Sequence, residues 1–144
     1  MKVFHCDHCE QLVFFENVRC VRCDHTLAYL PDLGSMGSLE PSGSGEWRCP
    51  APRAENRIYR LCGNYTTENI CNWAIPKGDA HSLCLSCRLT QTIPDLMKPG
   101  HKEAWYRLEV AKRRLVYSLL ALGLPLASLD RLAIKKEIDR IGKQ

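Results

Sequence analysis

A chain of 144 residues, 25% of them charged, has room for one ordinary domain or two small ones. Nine cysteines stand against only three Phe and three Trp, and the first 90 residues lack long apolar periodic runs, which excludes a single large hydrophobic core and favours small stapled units. The formal net charge of +4 falls to zero if eight thiols ionise on two divalent ions, so it does not by itself point to a phosphate-binding surface.

The stretch Met1–Cys6 has no apolar segment of the signal-peptide kind. The longest apolar run, near Leu115–Leu126, is broken by Ser118, Gly123 and Pro125 and is too short to span a bilayer. The expectation is therefore a reducing cytoplasm with no membrane partner, where paired cysteines hold metal more often than they bridge each other.

Cys6-Asp7-His8-Cys9 and Cys20-Val21-Arg22-Cys23 each place two thiols two residues apart, the spacing of a tight knuckle whose sulfurs point at one ion. Four thiolates from two knuckles make the closed tetrahedral shell of a structural zinc site. The ten residues between the pairs are fewer than the usual ribbon spacing, yet they suffice for a small hairpin. Leu12-Val13-Phe14-Phe15 is β-prone, Glu16-Asn17 suits a turn and Val18-Arg19 leads back. The competing use of these thiols is redox or a disulfide. His8 and His25 flank the ligands and are expected to be exposed or bonded to the knuckle backbone rather than to hold metal.

Leu27-Ala28-Tyr29-Leu30 predicts a short strand. The Gly-, Ser- and Pro-rich stretch from Gly34 to Gly45 is consistent with a connector, but its flanks, Met36–Glu40 and Glu46–Cys49, suit a hairpin better. After Pro50 and Pro52, a strand is expected at Ile58-Tyr59-Arg60-Leu61.

A second constellation follows: Cys62, Cys71, Cys84 and Cys87. Cys84-Leu85-Ser86-Cys87 is a knuckle, whereas Cys62 and Cys71 must converge through a loop for which Gly63-Asn64 supplies unusual backbone angles. The expected occupant is a second zinc, with an iron–sulfur cluster or unrelated buried cysteines as alternatives and His81 as a reserve ligand. Cys49 is left over and is expected to be inert.

Lys102 to Leu122 predicts one helix, opened after Pro99-Gly100 and stopped at Gly123. Trp105, Leu108, Ala111 or Lys112, Leu115, Leu119 and Leu122 mark an apolar face, expected to be buried. A second helix is expected from Ser128, carrying Leu132, Ile134, Ile138 and Ile141. The fold class is thus small α+β: zinc-stapled β-hairpins with two four-cysteine sites, then a helical C-terminal segment. The expected divisions are 1–33 (first zinc ribbon), 34–100 (hairpin and second site) and 101–144 (helices).

Several stretches together carry a resemblance: Lys2–Cys9, Leu12–Cys23, Tyr59–Cys62, Cys71-Asn72-Trp73, Leu83–Arg88, Thr92–Leu96 and Ala111–Leu120, followed by Gly123-Leu124-Pro125. Over roughly residues 1–126 the chain resembles a bacterial family of zinc-binding metallopeptidases that begin with a zinc-ribbon region. The resemblance implies a ribbon-type region with Cys6, Cys9, Cys20, Cys23, Cys62, Cys71, Cys84 and Cys87 at its cysteine positions. Members continue into a peptidase domain bearing His-Glu-x-x-His, a motif this sequence lacks. That departure leaves a truncated or frameshifted member, or a stand-alone ribbon protein, and no inherited catalysis.

The leading functional expectation is a non-catalytic module holding two zinc ions, whose 102–122 helix docks a protein partner or a missing metallopeptidase domain. The alternative is a nucleic-acid-binding ribbon, in which Arg19, Arg22, Arg48, Arg53, Arg57 and Arg60 lie among Trp47, Tyr59, Tyr65 and Trp73. A thiol redox or metal-sensing protein is the third class.

Overall fold

The computed structural model describes residues 2–126 and 139–142. The chain divides into two compact units, residues 1–84 and 85–144. The second helix expected from Ser128 lies largely outside the described residues, which resume as helix at Asp139.

The first unit is built from short strands because its sequence is punctuated every few residues by Cys, Gly or Pro. β1 (Phe4–His5) pairs antiparallel with β2 (Leu12–Val13), Phe4 opposite Val13. The expected hairpin between the two cysteine pairs is therefore absent: β2 turns back across the first knuckle to β1 instead of onward to Val18-Arg19. The chain then turns at Phe14–Asn17, where the Phe14 N–H donates to the Asn17 side chain at 2.7 Å and the Asn17 N–H to the Phe14 carbonyl at 3.0 Å.

Five further strands form an antiparallel meander: β3 (Thr26–Leu30), β4 (Ser35–Pro41), β5 (Trp47–Arg48), β6 (Ile58–Leu61) and β7 (Ala74–Pro76). The expected hairpin over 36–49 is present, with Glu40 opposite Arg48 and Pro41 opposite Trp47, and β6 has the expected bounds. The meander curls until its ends meet. The Tyr29 N–H donates to the Asn72 carbonyl at 2.9 Å, and Tyr29 bridges Trp73 in parallel. Closure removes the unpaired strand edge that an open sheet of this size would leave at β3.

β3 and β4 are consequently buried on both faces, and Ala28, Leu30, Leu39, Cys49, Ala54, Tyr59 and Ala74 form the core between strands. Gly37 is required by this closeness, since a Cβ there would stand 2.5 Å from Leu30 Cδ1 and 3.4 Å from Cys49 Sγ. A second, aromatic core joins the β1–β2 region to the meander. Phe15 packs edge-on against Tyr29 at 5.1 Å and Trp73 at 6.1 Å, and stacks on Phe4 at 6.4 Å. Beneath it the buried Asn72 amide donates to the Phe15 carbonyl at 2.7 Å and the Asn17 carbonyl at 3.1 Å, closing two loop carbonyls off from water.

In the second unit, α2 (His101–Ala121) follows Gly100 at φ +80° and ends in a Schellman turn. There Gly123, at φ +70°, donates to the Leu120 carbonyl and Leu124 to that of Leu119. The bounds agree with expectation to one residue, but the buried face does not. His101, Trp105, Glu109, Lys112, Arg113 and Val116 are the buried positions, while Leu115 is 47% and Leu122 72% exposed. The buried stripe shares Trp105 and Lys112 with the face read from periodicity but is turned away from Leu115 and Leu122. Charged residues lie inside it because they satisfy one another. Glu109 accepts from Trp105 Nε1 at 3.2 Å and Thr90 Oγ1 at 2.9 Å, and pairs with Lys112 at 2.7 Å; Lys112 also donates to Thr90. Breaking such a pair from one side leaves an unpaired buried charge, which costs about 3–5 kcal/mol. Among the described residues no helix is long and apolar enough to cross a membrane.

Candidate metal centres

The two cysteine pairs of the first centre sit on matched knuckles. In one, the Cys6 carbonyl accepts the Glu10 N–H at 2.9 Å, while the Cys6 N–H donates to Gln11 O at 2.8 Å. In the other, Cys20 makes the same two bonds with Asp24 (2.9 Å) and His25 (3.0 Å). Each knuckle reverses through a residue in the left-handed region, Glu10 at φ 62° and Asp24 at φ 63°. Both are non-glycine positions, and the strain at each is of order 1–2 kcal/mol. An Arg19–Thr26 bridge flanks the second knuckle as β1–β2 flanks the first, so each knuckle is the turn of its own small ribbon.

The sulfurs of Cys6, Cys9, Cys20 and Cys23 all lie within 4.8 Å of one another, with Cys6–Cys23 and Cys9–Cys20 at 3.5 Å. A single tetrahedral zinc with Zn–S bonds of about 2.3 Å sets its sulfurs about 3.8 Å apart, so the set fits one such ion. Among the described residues, which include all nine cysteines, none forms a disulfide.

Electrostatics agree with a cation at the centre. Burial raises the Cys23 thiol, and the sulfurs of Cys6, Cys9 and Cys20 hold it up to about 12. At Cys20 burial is outweighed by the Cys23 and Arg22 amides, which bring that thiol down to about 6. Four sulfurs this close cannot all ionise alone, and a divalent ion between them removes the repulsion.

Around this shell lies a second layer. Cys6 Sγ contacts Ser38 Oγ at 3.1 Å. Asp7 accepts the Ser38 N–H at 2.9 Å and pairs with Arg53 at 2.6 Å, fastening the knuckle to β4. His25, expected to be exposed or bonded to backbone, instead sets Nδ1 3.3 Å from Cys23 Sγ, stacks on His8 at 4.1 Å and faces Glu40 at 3.6 Å through Nε2. It orients a ligand rather than replacing one. Sequence spacing gave no sign of Ser38 or Arg53, whose contact arises from the folding of β4 and the turn after Pro50.

The second centre brings together Cys62, Cys71, Cys84 and Cys87, again with all sulfurs within 4.8 Å of one another and Cys71–Cys84 at 3.7 Å. All four are fully buried. Cys62 directly follows β6, Cys71 lies just before β7, and the Cys84 N–H donates to Cys62 Sγ at 3.3 Å as the Trp73 N–H does to Cys71 Sγ at 3.4 Å. Amide donors to sulfur stabilise thiolates, and the single-ion spacing is that of the first centre. The intervening loop differs from expectation. Gly63 is not in a left-handed conformation; it opens the short helix α1 (Gly63–Thr66), and the positive angle falls at Asn69, φ 54°. A Cβ at 63 would lie 3.2 Å from the Ser82 carbonyl oxygen, a crowded contact that a glycine avoids. His81 stands outside the sulfur set, exposed and paired with Asp79 at 2.9 Å.

Cys49 joins neither set. It is wholly buried in the meander core, and its burial raises its thiol above the ordinary range. Cys49→Ser is expected to retain both metals and to cost about 1–3 kcal/mol for burying a poorly partnered hydroxyl, read by zinc count and thermal melting. Loss of a zinc in that variant would show the ligand sets misassigned.

Each of the arginines read with nucleic acid in mind has a partner within the chain. Arg19 pairs with Asp24, Arg48 with Glu40, Arg53 with Asp7 and Arg57 with Asp32; Arg60 donates to the Asp79 and His81 carbonyls and Arg22 to that of Cys9. Tyr59 and Trp73 are buried, and the Tyr65 hydroxyl donates to the Leu27 carbonyl at 2.7 Å.

A zinc-ribbon domain family matches residues 3–98, spanning both cysteine sets. The chain is 33% identical over 131 residues to the uncharacterized proteins Mb2598c of Mycobacterium bovis and Rv2568c of Mycobacterium tuberculosis. The alignment covers 91% of this chain and 34% of each relative, so the chain spans about a third of the length of the curated relatives it matches. No solved structure matches it significantly. The matched residues include both knuckles of the first centre and all four ligands of the second, each centre with the spacing of one tetrahedral ion; the chain belongs to the zinc-ribbon domain family and carries two four-cysteine zinc sites.

Proposed function

We propose that the chain is a non-catalytic structural module whose zinc ions hold the fold while the exposed face of α2 docks the further polypeptide that accompanies such modules in longer relatives. The convergence of eight thiols into two closed sets of four carries this reading. Bound zinc would supply crosslinking there. Four thiolates leave no open coordination position, and their negative charge weakens zinc as a Lewis acid for water. What the chain's own residues do is set those thiolates: knuckle turns, the Asp7–Arg53 clamp and amide donors to sulfur.

The docking part rests on length and on α2. The relatives are about three times as long as the stretch they share with this chain, and the module offers them a face with Leu115 and Leu122 in solvent. The metallopeptidase resemblance makes a peptidase domain the natural occupant. The face through Leu115, expected to be buried, is open to solvent, and an exposed leucine contributes little to monomer stability. The double variant Leu115→Asp/Leu122→Asp is expected to melt within about 0.5 kcal/mol of wild type. In calorimetric titration with the separately expressed remainder of a mycobacterial relative, it should bind at least about tenfold more weakly, a difference of about 1.4 kcal/mol. Equal binding by both chains would show that the face is idle.

A further inference from the structure

The two centres share a ligand set but not an environment. Cys6 and Cys20 are 1% and 2% exposed, while their knuckle partners Cys9 and Cys23 are half-buried and reach the surface. In the second centre all four ligands are sealed, at 2% or less. Beside Cys23 runs an open groove of about 330 Å³ lined by Cys23, His25, Thr26, Leu39, Glu40 and Trp47. A small reagent can therefore come within bonding distance of Cys23 without any strand moving. The knuckle that would lose its metal is also held by other means: the Asp7 N–H donates to Ser38 Oγ at 2.9 Å, and the Asp7 carboxylate takes the Ser38 amide and Arg53. At the second centre Cys62 follows β6 directly and Cys71 lies just before β7, and all four sulfurs are shut off from solvent, so a reagent reaches them only if the surrounding chain opens.

We propose, resting on the reading of both sets as zinc sites, that the first centre is the modifiable one: soft thiol-directed electrophiles add to Cys9 or Cys23 and release its zinc, while the second centre keeps its own. In the step, a sulfur lone pair forms a C–S bond to the electrophilic alkene carbon, the alkene electron pair moves to the adjacent carbonyl, and the resulting enolate takes a proton from water. The thiolate would become a neutral thioether, too weak a donor to hold a zinc ion. No oxidant is needed. Zinc would hold all eight sulfurs alike as thiolates, so access decides among them, and of the eight only Cys9 and Cys23 reach the surface.

The test is a time course of N-ethylmaleimide on the two-zinc chain, read by native mass spectrometry and peptide mapping. The expected course is a one-zinc species labelled first at Cys9 or Cys23, with Cys62, Cys71, Cys84 and Cys87 unlabelled and the second zinc lost at least about tenfold more slowly. Loss of both ions with a single rate constant, or first labelling at any of the four cysteines of the second centre, would overturn the assignment. A starting chain that does not carry two zinc ions would overturn the zinc reading itself, and this inference with it.

Discussion

Stripping both zinc ions with a strong chelator is expected to abolish ordered structure over residues 1–90. Binding a structural zinc is worth about 10–16 kcal/mol at neutral pH, whereas a whole domain is stable by only about 5–15 kcal/mol. Even one ion therefore rivals the rest of the fold, and two exceed it. The strands show why. β1, β2 and β5 are two residues each, and the meander core consists largely of alanines and a few large side chains. Even with the aromatic cluster around Phe15, Tyr29 and Trp73, two cores of this size need the metal crosslinks to offset the chain entropy of ordering these loops. The check is a two-dimensional amide spectrum: dispersion should collapse on chelation and return with added zinc. Native dispersion after complete metal removal would contradict a structural role.

The second large effect is expected from Cys84→Ser. Its sulfur is buried within the second set and its own N–H donates to Cys62 Sγ at 3.3 Å. A serine hydroxyl is a poor zinc ligand, so the variant leaves three thiolates crowded in a dry interior. With their cation gone they must protonate, and β6 and the start of β7 lose their common anchor. The variant should hold one zinc and lose more than about 4 kcal/mol, beyond the range of ordinary point substitutions. Cys9→Ser, at the exposed edge of the first centre, should cost less, because the Asp7–Ser38–Arg53 contacts remain. Equal melting of the two variants would contradict the distinction between the centres.

How far the sequence foretold all this depends on the range of the interaction. Cysteine spacing marked the first ligand set and the Cys84–Cys87 knuckle, whereas Cys62 and Cys71, nine positions apart, joined the second set only by count. The strand Ile58–Leu61, set off by Pro50, Pro52 and the charged stretch after them, and the hairpin over 36–49, with Pro41 to Gly45 at its tip, were legible because such residues interrupt regular structure. The pairing of Leu12–Val13 was not, because the knuckle itself acts as the turn and sends β2 back to Phe4–His5. Closure of the meander through Tyr29 and Trp73 joins residues 44 positions apart and leaves no local trace. The buried stripe of α2 escaped a reading by apolar periodicity because Glu109 and Lys112 neutralise each other inside it. Cys49 looked surplus by count, yet it packs against Gly37 in the core, where a small soft side chain fits.

Native mass spectrometry of protein purified without a histidine tag tests the central claim most directly. Two closed four-thiolate sites predict two zinc ions per chain, falling to one in Cys84→Ser and staying at two in Cys49→Ser. A ratio of one in the wild-type chain, iron in place of zinc, or a metal-free chain with native amide dispersion would contradict it.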